Sequence, residues 1–276
     1  MNSALNIVKI ILLSIIAIAL VFILVVLLNG KMNIKGFTLY EKTELVYEKD
    51  FTEEVTNLKV LTTNNDVRIE ESELNHINVK VYDRKDAKPE AYVENDTLII
   101  KNKDDIRIGF SFGIMGSSKI VITVPKNSAY NLDIEGTSSD IDSLIDLKNV
   151  NINVISGDVN LKDTLDTVIK TTSGDVELGS TNKLSLNTKS GDVSISSVNS
   201  KITLETTSGD VNINNVLLDS DSSIKVISGD VTIGKTNNIY IDAHAISGDI
   251  KVNTNNRRSD YELKINTTSG DIIVNN

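Results

Sequence analysis

The stretch Ile202-Thr203-Leu204-Glu205-Thr206-Thr207-Ser208-Gly209-Asp210-Val211-Asn212-Ile213 holds the repeat that decides the fold. Apolar and polar residues alternate on both sides of Ser208-Gly209-Asp210, the period of half-buried strands. The glycine between the two runs marks a corner that needs a positive φ angle. One copy earlier, Leu184, Leu186, Thr188, Val193 and Ile195 take the same places. In the last copy Leu263, Ile265, Thr267, Ile272 and Val274 do, and near the start Leu58, Val60, Thr62, Val67 and Ile69. Ser-Gly-Asp followed by Val or Ile occurs seven times, at Ser156, Ser173, Ser190, Ser208, Ser228, Ser247 and Ser269. Two decayed copies, Asn64-Asn65-Asp66-Val67 and Ser138-Ser139-Asp140-Ile141, precede them.

A unit of two short strands, a corner and a looser return cannot bury its apolar side alone, whereas stacked units can. The serines lie 17 to 22 residues apart with no helical pattern between them. The expected fold is therefore all-β: a parallel β-solenoid (β-helix) of about nine coils of 17–22 residues. Its neighbouring strands would lie about 4.8 Å apart. A β-sandwich is the rival, but a sandwich has no need of one corner tripeptide seven times. Residues 137–276 are read as the regular repeats, and residues 40–136 as irregular opening coils and an N-terminal cap. Ten of the twelve aromatic residues lie in or before that opening part.

Before the array comes a run of nineteen residues, Ile10 to Leu28, in which Ser14 alone is polar. At about 1.5 Å per residue it reaches roughly 28 Å, close to the hydrocarbon core of a bilayer. It exceeds a signal-peptide apolar core, and Leu27-Leu28-Asn29-Gly30-Lys31 offers no small-x-small cleavage site. The expectation is a short tail over 1–9, one transmembrane helix over 10–28 and a linker over 29–39. Lysines flank the run on both sides, so the positive-inside rule leaves the orientation open. The absence of Cys leans toward an extracytoplasmic body.

Composition closes several functional classes. With no Cys and two distant His, His76 and His244, there is little for metal or triad chemistry. The formal charge of −10 disfavours nucleic acid as a partner. Lys9 is the one charged side chain before residue 31, so residues 31–276 carry 27 basic and 38 acidic groups. Such a body is repelled by anionic lipid headgroups and wall polymers. Asp242 and His244 lie near Ser247 without a nucleophile elbow. Arg257-Arg258 sits in the longest return. No enzyme, catalytic residue or cofactor is expected.

The repeat itself supplies the candidate sites. Gly157, Gly174, Gly191, Gly209, Gly229, Gly248 and Gly270 are expected as structural corners. The corner carboxylates of Asp158, Asp175, Asp192, Asp210, Asp230, Asp249 and Asp271 would stack in one column. Two like charges 4.8 Å apart repel by about 0.9 kcal/mol even at water's dielectric, so compensation is required. Backbone N–H groups of each carboxylate's own turn are the expected source, and a row of Ca²⁺ ions is the alternative. Two apolar segments are candidate partner contacts. One is the glycine-flanked stretch containing Phe110, Phe112, Ile114 and Met115. The other is Ile272-Ile273-Val274, expected as an open C-terminal strand edge for self-association or a partner. Sugar binding through aromatic faces is disfavoured, since the repeats hold just Tyr240 and Tyr261, while polar recognition stays open.

Three features together carry a family resemblance. They are Thr97-Leu98-Ile99-Ile100, the strand end Ile122-Thr123-Val124-Pro125-Lys126 and the serial Ser-Gly-Asp units behind a single apolar run. They resemble the bacterial putative-adhesin, or Toastrack, family of β-strand-repeat envelope proteins, to which LiaG-like proteins belong. The resemblance covers about residues 40–276. It implies a non-enzymatic β-solenoid of the cell envelope, associated with membrane-stress signalling, and it brings no catalytic residues. The expected function is thus a membrane-anchored, extracytoplasmic binding or scaffold module with a membrane-protein or envelope partner. The alternative is a surface adhesin contacting glycans or cell surfaces.

Overall fold

The computed structural model describes residues 43–102, 118–237, 239–253 and 255–275. The expected transmembrane run and the Phe110–Met115 stretch lie outside these residues. The described chain is all β. Its opening strands are β1 (Glu44–Phe51), β2 (Asn57–Thr62), β3 (Asn65–Ser72), β4 (Ile77–Asp83), β5 (Glu90–Glu94), β6 (Thr97–Asn102), β7 (Ser118–Pro125), β8 (Tyr130–Ser138) and β9 (Ile141–Ser143). The regular part holds β10 (Leu147–Ser156), β11 (Val159–Leu161), β12 (Thr164–Lys170), β13 (Val176–Ser190), β14 (Val193–Ser208), β15 (Val211–Val216), β16 (Ser222–Ser228) and β17 (Val231–Thr236). The chain closes with β18 (Tyr240–Ser247), β19 (Ile250–Val252), β20 (Glu262–Ser269) and β21 (Ile272–Val274).

Coil stacks on coil through two parallel ladders, as the repeat requires. The strands before the corners run β6, β2, β8, β10, β12, β13, β14, β16, β20, β18. Those after the corners run β7, β3, β9, β11, β13, β14, β15, β17, β21, β19. β13 and β14 belong to both ladders. Each leaves one corner and continues as strand into the next, so hydrogen bonds join all the strands into one sheet. In these two coils the return is not loose. Thr181, fully buried, turns it by donating its hydroxyl to the carbonyls of Leu165 and Lys183.

Register explains the apolar alternation. Ile134, Ile152, Ile169, Leu186, Leu204, Ile224 and Ile265 pair in succession, and all are fully or almost fully buried. Opposite them stand Ile141, Val159, Val176, Val193, Val211, Val231 and Ile272. Identical apolar positions superpose only if strands pair in parallel and in register. A one-residue slip would turn each set to solvent.

Stacking order departs from chain order at both ends. Near the start, the β2–β3 coil lies between the β6–β7 coil and the β8–β9 coil. Near the end, the β20–β21 coil lies between β16–β17 and β18–β19. This corrects the expected open edge at Ile272-Ile273-Val274. β21 is paired on both sides, and Ile272 and Val274 are fully buried. The physical reason is that the chain leaves one position open between β17 and β18, and the longer return after β19 lets it step back and fill that position with β20 and β21. Among the described residues it is β18 and β19 that end the two parallel ladders on this side.

The two ends also differ in covering. At the start, β4 pairs antiparallel with β7, β1 with β4, and β5 with β6. The Tyr47 hydroxyl of β1 donates to the Ala91 carbonyl of β5 at 3.2 Å, tying the caps of the two ladders together. Beneath this cap Asp83, 1% exposed, accepts four hydrogen bonds. Asn65 and Asn102 amides reach one oxygen at 3.0 and 2.6 Å; the Ser118 hydroxyl and the Arg84 N–H reach the other at 2.8 and 2.7 Å.

Candidate binding surfaces

The corner shows why the tripeptide recurs. All seven corner glycines hold φ between 125° and 145°. A Cβ added at Gly174, Gly191, Gly209, Gly229, Gly248 or Gly270 would stand 2.1–2.2 Å from the carbonyl oxygen of the neighbouring coil's glycine. Glycine is thus required twice, for its torsion and for the close approach of the coils. Just before the corner, buried Thr171, Thr188 and Thr206 donate their hydroxyls to the carbonyls of Ser173, Ser190 and Ser208.

The aspartates form a one-way ladder. The N–H of Asp210 donates to Asp192 Oδ1 at 2.8 Å, and that of Asp192 to Asp175 Oδ1 at 2.8 Å. The series continues through Asp158, Asp140 and Asp66 in one direction. In the other it passes from Asp210 to Asp230, Asp271 and finally Asp249. Backbone donors therefore offset the repulsion along the column, but they come from the adjacent coil and not, as expected, from the carboxylate's own turn, because parallel stacking sets each Asp N–H over the carboxylate of the coil beside it. The decayed copies at Asp66 and Asp140 keep this function although they have lost the glycine. Among the described residues no group of three or more His, Cys, Asp or Glu converges as a metal site. Asp192→Ala would leave the Asp210 N–H without its acceptor and is expected to lower the melting temperature by a few degrees. Asp249→Ala, at the ladder's last rung, should leave it unchanged. Thermal melts of the two variants side by side check this.

The remaining candidates are dispersed. Asp242 Oδ1 pairs with His244 Nε2 at 2.8 Å on the exposed face of β18. Arg257 and Arg258 are exposed in the 253–261 return.

Sequence reading missed a groove on the outer face of the first ladder, mostly apolar in its lining but edged by polar side chains. It has a volume of about 490 Å³ and is lined by Asn57, Lys59, Asn131, Asp133, Asn149 and Asn151, among others. The amides stack: Asn149 Nδ2 donates to Asn131 Oδ1 and Asn131 Nδ2 to Asn57 Oδ1, both at 2.8 Å. Asn151 Nδ2 reaches Asp133 Oδ1 at 2.8 Å, and Lys59 Nζ reaches Asp133 Oδ2 at 2.6 Å. The Asp133 hydrogen bond, opposed by partial desolvation, raises the Lys59 pKa above its ordinary value. A register break in β10 between Leu147 and Val150 places Asn149 there, with its N–H also on Asn131 Oδ1. Planar amides beside a carboxylate and an ammonium suit hydrogen bonding to a polyhydroxylated ligand. The signal was the Asn at matched register positions, invisible until the out-of-order coil is placed.

Comparison with known proteins follows the same architecture. Residues 55–275 match the family model described as Toastrack DUF4097. A solved structure of a putative adhesin from Bacteroides fragilis is similar to 86% of this chain over 100% of its own, with a TM-score of 0.54 and 14% identity. At that identity the likeness concerns the fold alone. A putative adhesin from Parabacteroides distasonis matches 85% of the chain over 98% of its own, at a TM-score of 0.39 and 12% identity. A putative cell adhesion protein from Clostridium sporogenes matches 85% over 99%, at 0.29 and 12%. No curated protein matches the chain.

Proposed function

The chain belongs to the Toastrack DUF4097 family, and from that premise we propose that it is a non-enzymatic binding and scaffold module of the bacterial cell envelope. The observation that carries the reading is the regular stack. Its corner carboxylates are engaged by backbone N–H groups from coil to coil, and its exposed polar groups are spread along the ladders as a surface for contact. In this proposal residues 10–28 anchor the chain in the membrane by a single span. The solenoid is extracytoplasmic and meets a membrane-protein or envelope partner, with a role in membrane-stress signalling. The segment around Phe110, Phe112, Ile114 and Met115 joins β6 to β7 and is a further proposed partner contact.

The test is a C-terminal tag behind a protease-sensitive linker. Protease added to intact cells should remove the tag, and the anchored protein should co-purify with membrane proteins. A tag protected until lysis would overturn the extracytoplasmic placement.

A second reading, an adhesin contacting glycans, is favoured by the amides, carboxylate and ammonium that edge the groove and by the name of the Bacteroides fragilis neighbour. It predicts that the full-length chain in detergent is retained on immobilised envelope polysaccharide. Lys59→Ala combined with Asn131→Ala should abolish that retention, and retention equal to the unaltered chain's would count against the groove.

A further inference from the structure

The β18–β19 end of the stack is built differently from the interior. Where inner coils place Ile224 and Ile265 in one core column, β18 has Ala243; where they place Val226 and Thr267, it has Ala245. Both alanines are half-buried. The core tapers here, and no antiparallel strand covers it among the described residues. Part of the edge is already satisfied. Asn255 accepts from the Ile241 N–H at 3.0 Å through Oδ1 and donates to the Ile241 carbonyl at 2.8 Å through Nδ2. In a parallel ladder a residue turns both backbone groups to the same neighbour, and alternate residues turn alike. Ala243 and Ala245 therefore direct their N–H and C=O outward, as Ile241 does, with no described strand to receive them. Beside them Ile246 is 83% exposed.

We propose that this end pairs with a second copy of the chain, β18 against β18 in antiparallel sense about a two-fold axis at His244. Antiparallel strands alternate hydrogen-bonded and non-hydrogen-bonded pairs. With His244 opposite its own copy, Ala243 and Ala245 each stand opposite the other, and both pairs can exchange N–H···O=C bonds. The register is self-complementary, which a two-fold contact requires.

Charge favours the same occupant. Within residues 239–261, Asp242, Asp249 and Asp260 are balanced by Lys251, Arg257 and Arg258, while the chain as a whole carries −10. Two such ends meet without the net repulsion that opposes side-by-side contact elsewhere. A head-to-tail stack would instead seat β18 against the antiparallel strands β1, β4 and β5 at the other end, and it would show as absence of the His244→Cys dimer.

The chain has no Cys, so His244→Cys introduces a single thiol. Oxidised as the full chain in detergent, this variant is expected to give a disulfide-linked dimer. Thr203→Cys, exposed in mid-stack on the same ladder, should stay monomeric. The register places Ile246 opposite the copy's Asp242. Ile246→Glu in the His244→Cys background should therefore cut the dimer about ten-fold, since like charges oppose at two symmetric sites. Ile246→Lys should retain it. Neither change threatens folding, because the side chain is already in solvent. Absence of the His244→Cys dimer, an equal yield from Thr203→Cys, or indifference to the sign of the charge at 246 would overturn the proposal. Pairing with a strand of a different protein would appear as the first of these outcomes.

Discussion

Gly209→Val is expected to break the stack at its middle. The new side chain would have to adopt φ near +128°, a torsion that β-branched residues avoid, and its Cβ would lie 2.1 Å from the Gly191 carbonyl oxygen. That oxygen belongs to the backbone of the neighbouring coil, so no rotamer change relieves the contact. Strain and overpacking together should cost roughly 3–5 kcal/mol. In a chain of this size, that lowers the melting temperature by on the order of 10 °C. Gly209→Ala should lose nearly as much, because the Cβ alone makes the clash. Gly136→Ala is the control. Its Cβ would meet side-chain atoms at 3.2–3.5 Å at a torsion outside the left-handed region, so its effect should be small. Thermal melts followed by circular dichroism distinguish these outcomes. Equal midpoints for Gly209→Val and Gly136→Ala would show that the corner does not need glycine.

Asp83→Ala is expected to be of similar severity at the opposite place in the fold, under the cap. It would remove the acceptor of the Asn65 amide, the Ser118 hydroxyl and the Arg84 N–H around a buried site and leave the Asn102 amide with its bond to Asn65 Oδ1. Leaving several buried donors without a carboxylate should cost roughly 3–5 kcal/mol. The effect should depend on pH in a defined direction. Burial alone would raise the Asp83 pKa, but the hydrogen bonds from Asn65, Arg84, Ser118 and Asn102 outweigh it and hold the value below the ordinary one. The ionised group therefore stabilises the fold fully above the unfolded value of about 3.9. That contribution is lost as pH falls through the lower folded value. The gap in unfolding free energy between the unaltered protein and Asp83→Ala should be constant at neutral pH and narrow below about pH 4. Urea titrations at a series of pH values measure it. A gap that widened in acid would contradict the assigned direction.

The sequence carried the coil and not the order of coils. Ser-Gly-Asp with its flanking alternation contains the strand period, the corner torsion and the core face, because each of these is local. The aspartate column was legible for the same reason, and so was the need for backbone donors, but their place in the adjacent coil and not in the carboxylate's own turn was not, because it depends on the stacking. The family resemblance named from these motifs agrees with the Toastrack match over residues 55–275. Chain order failed as a guide at both ends. Nothing in Ile272-Ile273-Val274 differs in pattern from an edge strand, and placing it inside depends on what the 253–261 return allows. The same non-local fact hid the Asn57–Asn131–Asn149 amide stack, whose members come together only when β2 is set beside β8. It also hid Asp83, whose partners lie on β3, β6 and β7.

The most direct measurement concerns that order. In the structure Thr232 of β17 faces Ile273 of β21, and Ile273 faces Lys251 of β19. A chain stacked in sequence order would place Lys251 beside Thr232. In this Cys-free protein the pair Thr232→Cys with Ile273→Cys should close an intramolecular disulfide on mild oxidation, since adjacent strands lie within bridging distance. The pair Thr232→Cys with Lys251→Cys should remain open, two strand spacings apart. Closure of the second pair and not the first would contradict the intercalated last coil, and with it the open end at β18.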